Sequence, residues 1–413
     1  MNKPTLKILT NPKLSENIYN LYMAHLQVLP VVSIVTTGRT GSDFLQSLFD
    51  DHKEILTFNG HFAVYSEYFN VSKIINNDKA VAKDIVEEMV GFYLYKLVSK
   101  YEIQERKDKL GESYNESFEV DTDTFKLHML GLLNNVELNT RNILLAFYGA
   151  YGINLNHNLL DKKVFIHHPH LDFEFNLFYK DFKDGRLIFT SRDPRANFCS
   201  HVEHFRKYYK SHDNQQHLYN CLEMILSHSK IAEEKGLDFI TTRLEDLPRE
   251  DYMRALADWL KIEFRDSLLR STWAGLEWHG DRISEKEFPS SGWTHDRTSN
   301  GWEKRLGKSD KYILNFILNE SLSKFGYQFR KTNFLDIVFV FFLILLPSKY
   351  ERRFFSLSHF KYMFVSGSRK NRIQYLLNPI YYFKRIALLL DYFCKRIFGV
   401  STEPRLIGRD IGR

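Results

Sequence analysis

The chain has 413 residues, of which 44% are hydrophobic and 15% aromatic, values typical of a globular protein with room for one large α/β domain and an appendage. Its three cysteines, Cys199, Cys221 and Cys394, are too few for a disulfide scaffold and lack metal-site spacing, so we expect a reducing compartment. The polar stretch 1–29 lacks the apolar segment of a signal peptide, which favours a cytoplasmic location.

The formal net charge of +6 is unevenly distributed. Residues 347–413 hold 14 Lys/Arg and 4 Asp/Glu, which leaves 43 basic and 47 acidic residues in 1–346. The main domain is therefore close to neutral and the tail is basic. This asymmetry predicts an anionic surface as the partner of the tail alone, and we expect no nucleic-acid partner.

After a short helical lead-in over residues 1–30, the chain has an apolar, β-branched run at 31–35, which is typical of a buried strand. Two glycines and small hydroxyls interrupt it, and apolar residues then return at helical spacing from Phe44. A strand, a glycine-rich turn and a helix N-terminus together form an anion site. The candidate residues of this site are Gly38, Arg39, Thr40, Gly41, Ser42 and Asp43. The turn lacks the GK[ST] ending of P-loop NTPases.

The sequence Thr-Gly-Arg-Thr-Gly-Ser at 37–42 resembles the 5′-phosphosulfate loop of the sulfotransferases that use 3′-phosphoadenylyl sulfate (PAPS). It is closest to the carbohydrate branch, where an Arg-Thr-Gly-Ser form is common. The resemblance implies that Arg39 and the loop amides hold the 5′-phosphate. Asp43 departs from the family, which more often has Ser or Thr there. Its carboxylate would repel a sulfonate, so it is expected to cap the helix or to bind an acceptor amine.

Residues 70–160 show helical periodicity and no strand signal, which predicts a helical insertion. Such an insertion either caps the active site or is a plain structural elaboration. Beyond it, strands predicted at 163–168, 186–191 and 239–242 alternate with helices. We therefore predict an α/β fold, a P-loop-like doubly wound parallel sheet flanked by helices, over residues 1–333, followed by a helical C-terminal tail at 334–413.

A second motif follows the strand at 186–191. Arg192 at the strand end and Ser200 eight residues later are similar to the 3′-phosphate segment of the same family. A bidentate guanidinium and a hydroxyl suit a doubly charged phosphate at the carboxyl edge of a sheet. Arg195 is either a second contact or an exposed helix residue, and the latter is favoured.

Two further segments agree with this family. Residues 242–247 resemble its Tyr-Glu-Asp-Leu segment, although Arg243 stands where Tyr is common, and residues 301–306 resemble its closing segment. The resemblance thus covers 31–330. It implies transfer of the sulfonate group of PAPS to an acceptor hydroxyl or amine, which we expect on a carbohydrate or glycolipid.

The acceptor proton requires a base. His61 lies where carbohydrate sulfotransferases carry a glutamate, and His168 lies where cytosolic sulfotransferases carry their histidine base. Glu67 is a third candidate, and His61 is favoured because the loop resembles the carbohydrate branch. No metal is expected, since the adjacent histidines 167 and 168 point to opposite faces of a strand.

Two alternatives remain. One is a membrane-associated nucleotide-binding adaptor that keeps the fold without turnover, which the presence of Arg39, Arg192 and Ser200 disfavours. The other is a nucleotide-dependent kinase, which the missing P-loop lysine disfavours.

The tail contains ten consecutive apolar residues at 337–346, fewer than the roughly 20 that span a bilayer. At 379–398 a helical wheel places Lys384, Asp391 and Lys395 on one face with Arg385 and Arg396 beside it. The remaining surface of the helix is aromatic and aliphatic. This pattern predicts a helix in the interface of an anionic membrane, with a peripheral location, and the alternative is a helix that packs on the main domain.

Overall fold

The computed structural model describes residues 5–58, 60–67, 81–101, 106–208, 214–226, 231–280, 301–330, 333–365 and 369–400. These residues form two compact units. The first contains the described residues up to Thr190 and those from 231 to 280, and the second contains those from 191 to 226 and from 301 to 400. This division differs from the predicted boundary at 333, because the helices after Ser191 group with the tail.

Among the residues that the structure describes, strands lie in the first unit, apart from the last residue of β6. They are β1 (Thr5–Leu9), β2 (Val31–Thr36), β3 (Ile55–Leu56), β4 (Glu116–Val120), β5 (Val164–His170), β6 (Arg186–Ser191), β7 (Phe239–Arg243), β8 (Thr272–Trp273) and β9 (Leu276–Glu277).

Helices occur in both units. They are α1 (Glu16–Val28), α2 (Ser42–Phe49), α3 (Val64–Glu67), α4 (Ala82–Phe92), α5 (Leu94–Leu97), α6 (Thr122–Leu133), α7 (Thr140–Asn154), α8 (Asp172–Phe178), α9 (Pro194–Tyr208), α10 (Gln215–Leu226), α11 (Ile231–Lys235), α12 (Glu250–Leu260), α13 (Trp302–Arg305), α14 (Lys308–Ile317), α15 (Asn319–Lys324), α16 (Phe334–Ile344), α17 (Leu357–Val365) and α18 (Arg369–Ile397). Short 3₁₀ turns lie at Ser99–Tyr101, Leu159–Asp161, Asp266–Leu269 and Arg352–Phe355.

The core of the first unit is a five-stranded sheet in the order β3-β5-β2-β6-β7. Strand β2 pairs parallel with both β5 and β6, and β3 pairs parallel with β5. All six residues of β2 are buried, as expected for a central strand of a mostly parallel sheet covered by helices. The predicted α/β class is confirmed at this level.

The predicted absence of strands from 70–160 is wrong at β4. This strand pairs parallel with β1, in a register that joins Thr5 to Glu116 and Leu9 to Val120. Phe118 and Val120 are buried and alternate with less buried neighbours, so the period of two is present. It spans only five residues and includes two glutamates, which are rare in strands, and this weakens the signal.

Near its start, the helical pattern of 70–160 divides into α4, α5 and a 3₁₀ turn at Ser99–Tyr101.

The second unit is helical in its described residues. Its core is formed by α9, α10 and α14 with α16 and α18, and it includes Leu222, Ile317, Val340, Leu389 and Phe393. No helix in the described ranges combines the length and apolar content required to cross a membrane.

One face of α18 is buried in this core, which corrects the predicted wheel. Arg385, expected beside a solvated polar stripe, is buried, and its Nε lies 3.1 Å from an oxygen of the buried Glu351. Leu389 and Phe393 extend the same face at helical spacing.

Candidate functional site

The glycine-rich loop begins where β2 ends. Gly38, Arg39 and Gly41 have positive φ angles of 88°, 53° and 85°, so the chain reverses sharply before α2. The Thr36 hydroxyl accepts a hydrogen bond from the Gly38 amide at 2.8 Å and also bonds the Thr40 hydroxyl. The Thr40 hydroxyl lies 2.6 Å from that of Thr190 on β6. Hydroxyl groups of two adjacent strands thus hold the loop.

The backbone and its surroundings favour glycine at position 41. A Cβ atom added there would lie 2.5 Å from Cδ1 of Leu244, and the backbone is in the left-handed region. The Gly41 carbonyl accepts the first bond of α2 from the Leu45 amide at 2.9 Å. The loop therefore leads directly into a helix N-terminus at Ser42, with the positive end of the helix dipole at the loop.

The side chains of the loop differ in exposure. Thr40 and Ser42 are buried, whereas Arg39 and Asp43 are partly exposed. Oδ1 of Asp43 lies 3.6 Å from Nδ1 of His168, which shows that the carboxylate is turned toward β5. Asp43 thus lies next to the loop in sequence and contacts one of the histidines described next.

Three histidines meet at the end of β5. The distance between ring centroids is 4.7 Å for His61 and His170, 5.1 Å for His168 and His170, and 5.9 Å for His61 and His168. The Phe62 amide donates to the His168 carbonyl at 3.1 Å, which places the segment after Gly60 beside the strand end. His170 ends the strand with a positive φ of 75°.

His61 is paired with a buried carboxylate. Its Nε2 lies 3.1 Å from Oε2 of Glu174 on α8, and the Ser66 hydroxyl donates to the other oxygen at 2.7 Å. Burial alone would raise the pKa of Glu174, but the hydrogen bonds from His61 and Ser66 outweigh burial and hold that pKa below its usual value. Because an ionised carboxylate only accepts, Nε2 of His61 is the donor, and Nδ1 is the nitrogen left to accept a proton.

His168 is fully buried, and both of its ring nitrogens are engaged. The side-chain amide of Gln46 donates to the Phe58 carbonyl and to the Thr57 hydroxyl, so its oxygen faces Nδ1 of His168 at 3.0 Å. Nε2 of His168 lies 3.1 Å from Nδ1 of His170. Burial and then the neighbouring His170 lower the pKa of His168 well below its usual value, so the ring is neutral at pH 7.

The pKa of His170 also falls, to about 4, because of burial and then the nearby His61. Nδ1 of a neutral His168 must donate to Gln46, so its Nε2 accepts from His170. The hydrogen bonds therefore fix the tautomers of both rings.

Two partners in this region were missed by the sequence reasoning. Glu174 is one, and the other is Lys107, a buried lysine whose Nζ lies 4.2 Å from the ring centroid of Trp273. Lys107 Nζ and Asp43 Oδ1 each lie 3.4 Å from the point where a Cβ on Gly60 would be. Glu67 ends α3, and its side chain lies outside the described part of the chain. Among the described residues, no group of histidines, cysteines and carboxylates is arranged to hold a metal ion.

Arg192 and Ser200 belong to the second unit and are both buried. The exposed position favoured for Arg195 is wrong. It is also buried, and its guanidinium contacts Asp193 Oδ2 at 2.6 Å and Asn315 Oδ1 at 2.6 Å and covers the ring of Trp302 at 4.2 Å. These contacts give Arg195 a structural role at the start of α9.

Arg243 lies in the first unit. Its guanidinium forms two hydrogen bonds to the buried Asp246, at 2.6 and 2.5 Å. The arginine thus anchors the turn that follows β7.

Comparison with known proteins gives no match to a family model, to a curated protein or to a solved structure.

Proposed function

We propose that the protein is a PAPS-dependent sulfotransferase that transfers a sulfonate group to a hydroxyl or amine of a carbohydrate or glycolipid. The observation that carries the proposal is one cluster in the first unit, which combines the glycine-rich loop with a histidine oriented by a carboxylate. Asp43 links the two, since it follows the loop and contacts His168, whose ring is 5.9 Å from that of His61.

The loop side of the cluster supports anion binding. The start of α2 contributes backbone N–H groups and the positive end of a helix dipole, and Arg39 adds a permanently charged guanidinium. In the proposed reaction these groups hold the 5′-phosphate as its bond to the sulfonate sulfur breaks. Preorganised donors of this kind stabilise charge that develops on a leaving group.

The histidine side supports proton transfer. As the sulfur forms its bond to the acceptor oxygen or nitrogen, Nδ1 of His61 takes the acceptor proton. Glu174 then faces the imidazolium, as a buried carboxylate does in other histidine dyads. His168 suits this role less well, because Gln46 and His170 engage both of its nitrogens.

The 3′-phosphate contact is proposed for Arg192 and Ser200 from the sequence motif. The bonds of Arg195 to Asp193 and Asn315 favour leaving it out of the nucleotide site. Each arginine is thus proposed from its own motif, Arg39 for the 5′-phosphate and Arg192 for the 3′-phosphate.

A nucleotide-binding adaptor without turnover is the second candidate, and the position of Asp43 favours it. The carboxylate adjoins the loop, where it would repel a sulfonate. This candidate predicts nucleotide binding with no transfer.

The test combines binding and turnover. Calorimetry should show that the protein binds adenosine 3′,5′-bisphosphate and binds ATP only weakly. In a separate assay with labelled PAPS, the protein should transfer the sulfonate to at least one acceptor in a panel of polysaccharides, glycolipids and phenols. Bisphosphate binding without transfer to any acceptor would support the adaptor. Failure to bind the bisphosphate would overturn both candidates.

A further inference from the structure

The second unit exposes an unusual amount of apolar surface. Among the described residues, 20 of the 32 exposed large hydrophobic side chains lie between Phe334 and Val400. Single exposed apolar residues are ordinary, but a concentration of this size marks an interaction surface.

Helix α16 contributes an apolar face. Leu335, Val338, Phe339 and Phe342 follow one another at helical spacing and are 46 to 75% exposed. The opposite edge of the helix packs into the core through Val340 and Ile344. The exposed face is therefore additional to the one that the fold requires.

Helix α18 also has one apolar face in the core and a second apolar face that is exposed. Ile373, Leu376, Ile380 and Phe383 form an exposed stripe at spacings of three and four residues, and each is at least half exposed. The stripe lies across the helix from the buried face that contains Leu389. Arg372 and Lys384 flank the stripe and are exposed.

Tyr382 joins the two helices into one surface. Its hydroxyl donates to the Leu345 carbonyl at 2.6 Å, just after α16. The centroid of its ring lies 5.2 Å from that of Phe355 and 5.8 Å from that of Phe383. Leu345, Phe355 and Phe383 are themselves exposed, so apolar surface is continuous around the tyrosine.

The charge around this exposed apolar surface indicates which kind of partner it binds. Residues 352–384 contain seven Lys/Arg and no Asp/Glu. A second copy would bring like charges together, whereas an anionic surface complements them. An apolar face bordered by arginine and lysine is the arrangement of helices that lie in a membrane interface.

We propose that the face defined by Phe342, Leu345, Phe355 and Phe383, with the stripe of α18, docks in the plane of an anionic lipid bilayer. The apolar side chains enter the headgroup region, and the flanking cations attract acidic headgroups. This surface differs from the one expected from the helical wheel, because Arg385, Leu389 and Phe393 face the core.

The first experiment is flotation of the full chain with vesicles of phosphatidylcholine, with and without about one third phosphatidylglycerol. We expect binding to the anionic vesicles that weakens at high salt. The Phe342→Ser/Phe383→Ser variant should bind the anionic vesicles at least about tenfold more weakly, because two large apolar side chains are no longer transferred from water into the membrane. The Leu21→Ser/Phe92→Ser variant, which removes two exposed apolar residues of the first unit, should bind like the unsubstituted protein.

The second experiment uses Cys394, which is exposed, whereas Cys199 and Cys221 are buried. A polarity-sensitive dye on Cys394 of α18 should shift its emission to the blue when anionic vesicles are added. No flotation, or equal flotation of the two double variants, overturns the proposal. A third outcome would assign the surface to a second copy of the chain. In it, the unsubstituted protein is a dimer without lipid, the Phe342→Ser/Phe383→Ser variant is not, and neither protein floats with the vesicles. Neither experiment requires sulfonate transfer, so its outcome is independent of the proposed function.

Discussion

Nε2 of His61 and Oε2 of Glu174 lie 3.1 Å apart, and the glutamate is held in place from two other directions. The Ser66 hydroxyl and the Leu171 amide both donate to it. The carboxylate is 5% exposed, so it is an oriented and desolvated partner for one histidine nitrogen. This relationship fixes which nitrogen of His61 faces away from the carboxylate.

The first prediction concerns Glu174. The Glu174→Gln variant keeps the shape of the side chain but removes the charge that stabilises an imidazolium. We expect kcat to fall about 10- to 100-fold while affinity for adenosine 3′,5′-bisphosphate is unchanged. Steady-state kinetics on the acceptor found by the screen, together with calorimetry, give both values. An equal loss in nucleotide affinity would indicate a structural role instead.

The second prediction separates the two histidines. His61→Ala should lower turnover by about 10²–10⁴-fold with little change in nucleotide affinity, as expected for loss of a base. His168→Ala should mainly lower the free energy of unfolding, because it leaves Gln46 and His170 without their partner. If only His168→Ala is inactive while both variants stay folded, the base assignment is wrong.

The third prediction concerns the two phosphate arginines. Arg39→Ala and Arg192→Ala should each reduce the binding free energy of adenosine 3′,5′-bisphosphate by about 1.5–3 kcal/mol. Arg254→Ala removes an exposed guanidinium that pairs with Glu250, and it serves as the control, with unchanged affinity expected. Unchanged affinity in a folded Arg192→Ala protein would remove the 3′-phosphate assignment.

Sequence patterns located the loop and four of the five strands of the central sheet, because local periodicity determines these features. They did not identify Glu174 as the partner of His61. Glu174 is an ordinary glutamate in the first turn of a helix, and its contact depends on how α8 leaves β5 after the left-handed His170. Lys107 was missed for the same reason, since only the folded chain brings Trp273 against it.

The C-terminal tail also contains a contact that sequence patterns do not reveal. A helical wheel treats each arginine as a polar surface residue, but Glu351 allows Arg385 to be buried. The pairing places Arg385 on the buried face of α18, whereas Lys384 and Asp391 are exposed as the wheel predicts. Only tertiary contacts decide between two amphipathic faces on one helix.

The fourth prediction concerns Gly41. Gly41→Ala should lower the free energy of unfolding by more than Gly236→Ala, its matched control. Both glycines have positive φ, so each change costs about 1 kcal/mol in backbone strain. A Cβ at position 236 meets nothing within 4 Å, whereas one at 41 meets Leu244 at 2.5 Å. Urea titrations give both values, and Leu244→Ala should partly rescue Gly41→Ala. Equal losses in the two variants would contradict a close approach of Leu244 to the loop.

The fifth prediction is a pH dependence of stability that depends on His167. The ring is fully buried, stacks on Phe178 at 4.5 Å and bonds the Tyr148 hydroxyl at 2.9 Å. Burial, and then the nearby His61, lower its pKa to about 3. The unfolded chain takes up a proton at this histidine below about pH 6.5, but the folded chain does not until about pH 3.

The free energy of unfolding should therefore decrease as the pH falls through that window. The contribution of this one group has a slope approaching about 1.4 kcal/mol per pH unit, because the unfolded state binds the extra proton. His167→Phe should be less stable at pH 7, because the Tyr148 hydroxyl loses its partner, but its stability should fall less steeply between about pH 6.5 and 5. Urea unfolding at several pH values measures both slopes. Parallel slopes for the two proteins would show that His167 is already protonated in the folded state, or that it keeps its neutral form on unfolding.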